Sequence, residues 1–208
     1  MQWNALQTAA KAKGQLVFAM NQAQTPAMTQ PGPWGTSTDG YCIGLAATWI
    51  SMQYAGTAFP VDAAQVCDNP PWKSTMAQTL SDASNAAKWL DYWTAAISPF
   101  QMVLSDGLRA KRDTVLTGGF VHSIVTKAYG CYGITVSGTA GAHALGVRHG
   151  KDNRMHLFDA NFGQFVVRDH SLLKAFLDGY WTASGYANNF LEKTVAIVGV
   201  RPPIAKGG

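Results

Sequence analysis

Charge is scarce in this chain of 208 residues: only 13% are Asp, Glu, Lys or Arg, while 47% are hydrophobic. Disorder needs the opposite balance, and nine Phe, seven Trp and seven Tyr argue for a packed core. The net charge of +4 comes from scattered basic residues with one cluster, Arg109-Ala110-Lys111-Arg112, which reads as a solvated helix face. No motif or aromatic-interleaved basic stripe accompanies it, so nucleic acid is not an expected partner. Long apolar runs are missing too. No stretch approaches the roughly 20 apolar residues of a spanning helix, so no integral membrane segment is expected. Leu16 to Met20, after Lys11 and Lys13, is too short for the core of a secretory signal, and export would need a dedicated machine.

Three cysteines cannot form a complete set of intrachain disulfides. Either Cys67 pairs with Cys131 and leaves Cys42 free, or all three stay reduced. His122, His149, His156 and His170 lack metal-ligand spacing with any cysteine, so no metal is expected. Gly118-Gly119 and Gly138 to Gly141 lack the Lys-Ser/Thr that follows a phosphate loop, so no cofactor is expected either.

The length suits one core and one domain overall: residues 1–33 as an N-terminal helix and loop, and 34–208 as the body. Residues 3 to 20 read as a helix of weak amphipathicity. Gln22 to Thr38, with Pro26, Pro31 and Pro33, reads as a loop. A helix from Cys42 to Tyr54 buries Ile43, Leu45, Ala46, Trp49 and Ile50 at helical spacing, which makes it the central helix under a sheet. Asp62 to Val66, Thr75 to Trp93 and Pro99 to Thr114 also read as helices, forming a helical lobe. Thr117 to Gly138 fits helix or strand in its first half and an edge strand over 130–136. Strands follow from His143 to His149, Arg154 to Phe158, Gln164 to Val167 and Thr194 to Val200. Between them Asp169 or Ser171 caps a helix carrying Leu172, Leu173, Phe176, Leu177 and Tyr180.

Cys42 opens its helix in Asp39-Gly40-Tyr41-Cys42-Ile43-Gly44-Leu45. A thiol is a strong nucleophile only as thiolate, and both the helix start and a neighbouring imidazolium favour that form. His143 and Asp159 stand where such a partner and its orienter belong. Lys151 is their midpoint, and a hairpin folded about it places them directly opposite, Cβ atoms about 5 Å apart and side chains on one face. A carboxylate there fixes the imidazole tautomer and leaves the other nitrogen for the thiol. The Cys42 amide, at the helix start, is the first candidate oxyanion donor.

These segments resemble the YopT/AvrPphB type of papain-like cysteine proteases, which are bacterial effector enzymes. The resemblance rests on Gly40-Tyr41-Cys42-Ile43-Gly44-Leu45-Ala46-Ala47-Thr48-Trp49-Ile50, Ala142-His143-Ala144-Leu145-Gly146-Val147 and Phe158-Asp159-Ala160-Asn161-Phe162-Gly163-Gln164-Phe165, in the family's order. It covers Trp34 to Val200, although 57–138 carries no matching motif. It implies an α+β, papain-like fold: a helical lobe whose central helix bears the nucleophile, packed on an antiparallel β-sheet. It further implies Cys42 as nucleophile, His143 as general base and Asp159 as its orienter. Papain-like enzymes at large carry an amide side chain shortly before the cysteine, where this chain has Thr36, Ser37, Thr38 and Asp39; Gln22 or Gln30 would have to reach in from the loop.

The leading expectation is a thiol protease that hydrolyses a peptide bond through a thioester. The resemblance implies secretion by a dedicated bacterial system and a protein substrate in the target-cell cytoplasm, with an immunity or chaperone protein as a further partner. The same triad could instead serve deamidation or transamidation of Gln, or a cell-wall amide, because all pass through one thioester. A binding module with a dead site is the third reading. Substrate choice is expected from loops among residues 22–38, 93–118 and 179–190.

Overall fold

The computed structural model describes residues 6, 8, 13–22, 42–59, 89–114, 116–138, 141–189 and 193–202. The elements in chain order are β1 (Gly14–Ala19), α1 (Cys42–Ala55), α2 (Trp89–Ile97), a 3-10 turn (Ser98–Phe100), β2 (Val103–Thr114), α3 (Gly118–Val125), β3 (Gly130–Gly138), β4 (Gly141–His149), β5 (Met155–Asp159), β6 (Gly163–Val167), a 3-10 turn (His170–Leu172), α4 (Leu173–Ala183), α5 (Tyr186–Asn189) and β7 (Lys193–Arg201). The strands form one antiparallel sheet in the order β1-β6-β5-β4-β3-β7-β2, so the fold is α+β.

Helices cover both faces of the sheet. On one face α1 and α2 pack Trp49, Ile50 and Trp93 with Ala144, Phe158 and Val198. On the other, α3, α4 and α5 pack Val121, Phe176, Tyr180 and Tyr186 with Leu145, Leu157, Phe165 and Ile197. A central strand with both faces covered loses the polar–apolar alternation of a half-solvated one, and β4 is buried from His143 to Val147 without a break. Gly146 lets α1 approach: a Cβ there would lie 2.7 Å from the Trp49 ring. The indole that occupies this space stacks on Phe158 at 5.6 Å and donates to Gln164 Oε1 at 2.8 Å. None of the described helices is long and apolar enough to cross a membrane.

Several expectations are corrected. Leu6, Thr8 and Lys13 are helical, but Gly14–Ala19 is a strand paired with β6. Residues 103–114 are the edge strand β2, not a helix, so the Arg109-Ala110-Lys111-Arg112 cluster lies on a strand. Its pairing with β7 slips between Ser105 and Arg109, and this irregularity breaks the period-2 alternation that marks a strand. Strand β3 is not an edge: it lies between β4 and β7, and a Cβ on Gly133 would enter the Trp93 ring. Asp62 to Val66, and Thr75 to Trp93 up to residue 88, lie outside the described residues.

The β4–β5 register differs from a hairpin folded on Lys151. His149 pairs with Met155 and Leu145 with Asp159, so the pairing is moved by two residues. The cause is the turn. Asn153 N–H donates to Gly150 O, Gly150 N–H donates to Arg154 O, and Asn153 takes the left-handed φ of 62° that three-residue hairpin loops require at that position. A two-residue shift keeps every side chain on its face.

Gly146→Val should cost about 1–3 kcal/mol by forcing α1 off β4, read as a lower urea midpoint. An unchanged midpoint would mean that the Trp49 contact does not hold the helix to the sheet.

Candidate active site

Cys42 begins α1 and is buried, with 8% of the residue exposed. The β4–β5 ladder starts only at the Leu145–Asp159 pair, which leaves residues 141–144 of β4 without a β5 partner. The Ala144 N–H donates to Cys42 Sγ at 3.3 Å. On the other side of that backbone, His143 Nε2 lies 2.9 Å from Asp159 Oδ1. The two are diagonal rather than directly opposite, as the shifted register requires, and they still share a face. Nε2 is committed to the carboxylate, which leaves Nδ1 as the ring nitrogen available to the thiol.

Asp159 is fully buried and receives donors on both oxygens. Oδ1 accepts from the Asn161 backbone N–H at 2.8 Å and from the Tyr186 hydroxyl at 3.3 Å, besides facing His143. Oδ2 accepts from the Tyr180 hydroxyl at 2.6 Å. An outer set follows: Asn161 Nδ2 donates to Tyr186 Oη at 2.8 Å, and Gln22 Nε2 donates to Asn161 Oδ1 at 2.6 Å. The Asp159–Phe162 turn places Asn161, closed by the Phe162 N–H on Asp159 O, and Gly163 follows at a φ of 112° where a Cβ would strike Phe18 O of β1.

The electrostatics favour charge separation between thiol and imidazole. Burial raises the Cys42 pKa, but the His143 charge, its hydrogen bond and the Ala144 N–H outweigh this and hold the thiol below its ordinary value, with Asp159 opposing. Burial likewise pushes His143 down, and Asp159 first, then Cys42, overturn it and raise the imidazole. At Cys131 burial outweighs the Arg148 charge and the Tyr54 hydroxyl. Burial pushes its thiol up to about 12, and it is free rather than disulfide-bonded; Cys67 lies outside the described residues.

The structure thus brings Cys42, His143 and Asp159 together. Gln30 and Asp39 lie outside the described residues, while Gln22 is buried with its amide nitrogen on Asn161. The sequence does not mark Tyr180 and Tyr186 as site residues. Tyr180 reads as one more apolar position of a helical stripe, and the available signal was its hydroxyl, which a fully buried tyrosine must satisfy. Of the loops expected to line a cleft, residues 103–114 form the edge strand farthest from β1, three strands from β4. His122, His149 and His170 gather elsewhere, with ring centroids 6.5 Å and 5.5 Å from His170. No group of three or more His, Cys, Asp or Glu among the described residues is placed to hold a metal.

The fold is that of papain-like cysteine proteases. The structure is similar to the crystal structure of the Pseudomonas avirulence protein AvrPphB, with a TM-score of 0.64 and 15% identity, over 89% of this chain and 96% of that one. It is also similar to PatoxP, a cysteine protease-like domain of the Photorhabdus asymbiotica toxin PaTox, with a TM-score of 0.51 and 12% identity, over 95% of this chain and 57% of that one. The family model described as Yersinia/Haemophilus virulence surface antigen, peptidase C58, matches residues 121–196, a segment that holds His143 and Asp159. No curated protein matches the chain in sequence. The family model thus covers less than half of the chain, and the two solved structures, at 15% and 12% identity, show the fold alone.

Tyr180→Phe removes the donor to Asp159 Oδ2 and should lower stability by about 1–3 kcal/mol, measured by urea unfolding. If stability and the pH dependence of Cys42 alkylation both match the parent protein, the hydroxyl is not holding the carboxylate.

Proposed function

We propose that the chain is a thiol protease in which Cys42 is the nucleophile, His143 the general base and acid, and Asp159 the group that orients His143. The observation that carries this reading is the placement of a helix-start thiol against His143, whose far nitrogen is held 2.9 Å from a fully buried carboxylate. In this reading the Cys42 thiolate attacks a peptide carbonyl and a C–S bond forms. His143 protonates the leaving amine as the C–N bond breaks, then takes a proton from the water that hydrolyses the thioester. The Cys42 N–H, at the start of α1, serves as the first oxyanion donor. The Ala144 N–H stabilises the resting thiolate, which keeps the nucleophile charged despite its burial.

The similar proteins are an avirulence protein and a toxin domain, and the matching family is described by virulence. In keeping with them, the chain acts as a bacterial effector, delivered by a dedicated secretion system, on protein substrates in a target cell.

Alkylation by iodoacetamide, located by mass spectrometry, tests the centre without a known substrate. Because the thiol is lowered and the imidazole raised, the ion pair fills the interval between them. Cys42 labelling should therefore stay fast below about pH 6 and fade only once the thiolate itself is protonated. In His143→Ala it should move toward the ordinary thiol value of about 8.5, and Cys131 should remain unlabelled throughout. Ordinary labelling of Cys42 in the parent protein would sink the hydrolase.

Two further variants separate catalysis from packing. Asp159→Asn should keep the fold and lower turnover by about three to four orders of magnitude, through loss of the oriented tautomer. Cys42→Ala should abolish activity without loss of stability. A strongly destabilised Cys42→Ala would show a core thiol rather than a nucleophile.

A further inference from the structure

The α1 face of the sheet carries a second set of polar side chains, at the opposite end of that helix from Cys42. Arg148 on β4 and His156 on β5 are register partners, and Gln164 Nε2 on β6 lies 3.3 Å from His156 Nδ1. Arg148 Nη1 donates to Oε1 of Gln53, in the last turn of α1, at 3.1 Å. Arg148, Gln53 and Gln164 line a cavity of about 360 Å³ together with Thr57, Phe18 and Phe59. The two phenyl rings stack at 5.8 Å, with 5° between their planes, and form an apolar wall.

Among the described residues the charge in this cavity has no counter-ion: no carboxylate pairs with Arg148, and none lines the cavity. Asp152, on the neighbouring turn, is paired with Arg154 at 3.5 Å. Burial first, and then the Arg148 charge, hold His156 below its ordinary value, so near neutral pH the positive charge at this site is the guanidinium. Donors are in excess. The guanidinium has five N–H groups, of which one is engaged by Gln53, and the amide oxygens of Gln53 and Gln164 are already occupied by Arg148 and Trp49. A planar cation with spare donors beside an aromatic wall suits an oxyanion on an apolar body.

We propose that this cavity binds a carboxylate or a phosphate monoester carried on an aromatic or apolar group, with the anion on Arg148 and Gln53 and the body against Phe18 and Phe59. Gln53 lies eleven positions beyond Cys42 along α1, roughly 16 Å at about 1.5 Å per step, so a ligand here does not reach the thiol. The site is a recognition site apart from the chemistry. The cavity lies at the lower end of the size range of small-molecule sites, which run from about 300 Å³ upward.

The test titrates the full chain with phenyl phosphate and with 3-phenylpropionate, using benzyl alcohol as the uncharged control, and follows the indole N–H of Trp49 by NMR. At least one anion should give a saturable shift in the millimolar range or below, and benzyl alcohol should give none. Arg148→Met and Gln53→Glu should each weaken binding at least about tenfold, while Cys42 alkylation keeps the parent rate. If Arg148→Met fails to fold, Gln53→Glu decides alone, since its carboxylate would take the guanidinium for itself. Stronger binding of phenyl phosphate points to a phosphorylated group as the source, and stronger binding of 3-phenylpropionate to a carboxylate; either supports the proposal. No saturable shift with either anion, or shifts that survive both variants, would overturn it and leave Arg148 as a partner for the C-terminal end of α1.

Discussion

A carboxylate with no access to water must be given every hydrogen bond that water would have supplied, and Asp159 is that group in this molecule. A buried charge left unpaired costs several kcal/mol. The solution here draws donors from four separate places: His143 on β4, the Asn161 main chain in the β5–β6 turn, Tyr180 on α4 and Tyr186 on α5. Each donor fixes its own element. The helices on that face are therefore tied to the strands through one side chain as well as through their apolar contacts, and the aromatic rings of Phe162, Tyr180, Trp181 and Tyr186 close around the polar knot and keep it dry.

The thiol lies in the other hydrophobic layer. Cys42 packs with the α1-side core, the phenolic groups that hold Asp159 pack with the opposite core, and the backbone of β4 at residues 143 and 144 is the partition between them. This division separates two tasks. One layer anchors the buried carboxyl group and aims the imidazole; the other presents a sulfur whose charge state depends on that imidazole. Ending the β5 ladder at Asp159 makes the arrangement possible, because it frees the Ala144 N–H for sulfur instead of a carbonyl.

Legibility in the sequence followed locality. The strands carrying His143 and Asp159 were readable because Gly150, Asp152 and Asn153 punctuate two apolar runs, and the shared face survived even though the register was two residues away. The start of α1 at Cys42 was readable from its apolar spacing. Strand β2 was not, because its slip between Ser105 and Arg109 destroys alternation and leaves Leu104 and Leu108 four apart, as on a helix face. Nor was β1, whose strand character comes from pairing with β6, about 150 residues away in sequence. Residues 130–136 fit an edge strand by sequence, whereas β3 lies inside the sheet with the Trp93 ring against Gly133. The tyrosines around Asp159 needed the third dimension altogether: their spacing describes a helix stripe, and only the fold shows what their hydroxyls meet.

Strand β1 is held by its main-chain ladder and by Leu16 and Phe18, which pack against the two cores. It pairs with β6 from Gly14 to Ala19, and the ladder runs on past it, with Met20 N–H on Phe162 O and Gln22 N–H on Ala160 O, before Gln22 reaches Asn161 beside the buried carboxylate. Its place is thus defined by the groove it fills rather than by its covalent link to α1. A nick between residues 22 and 42 would turn this strand into a ligand of the remaining body, and completion of the outer shell around Asp159 would become a bimolecular event, governed by peptide concentration instead of by folding alone.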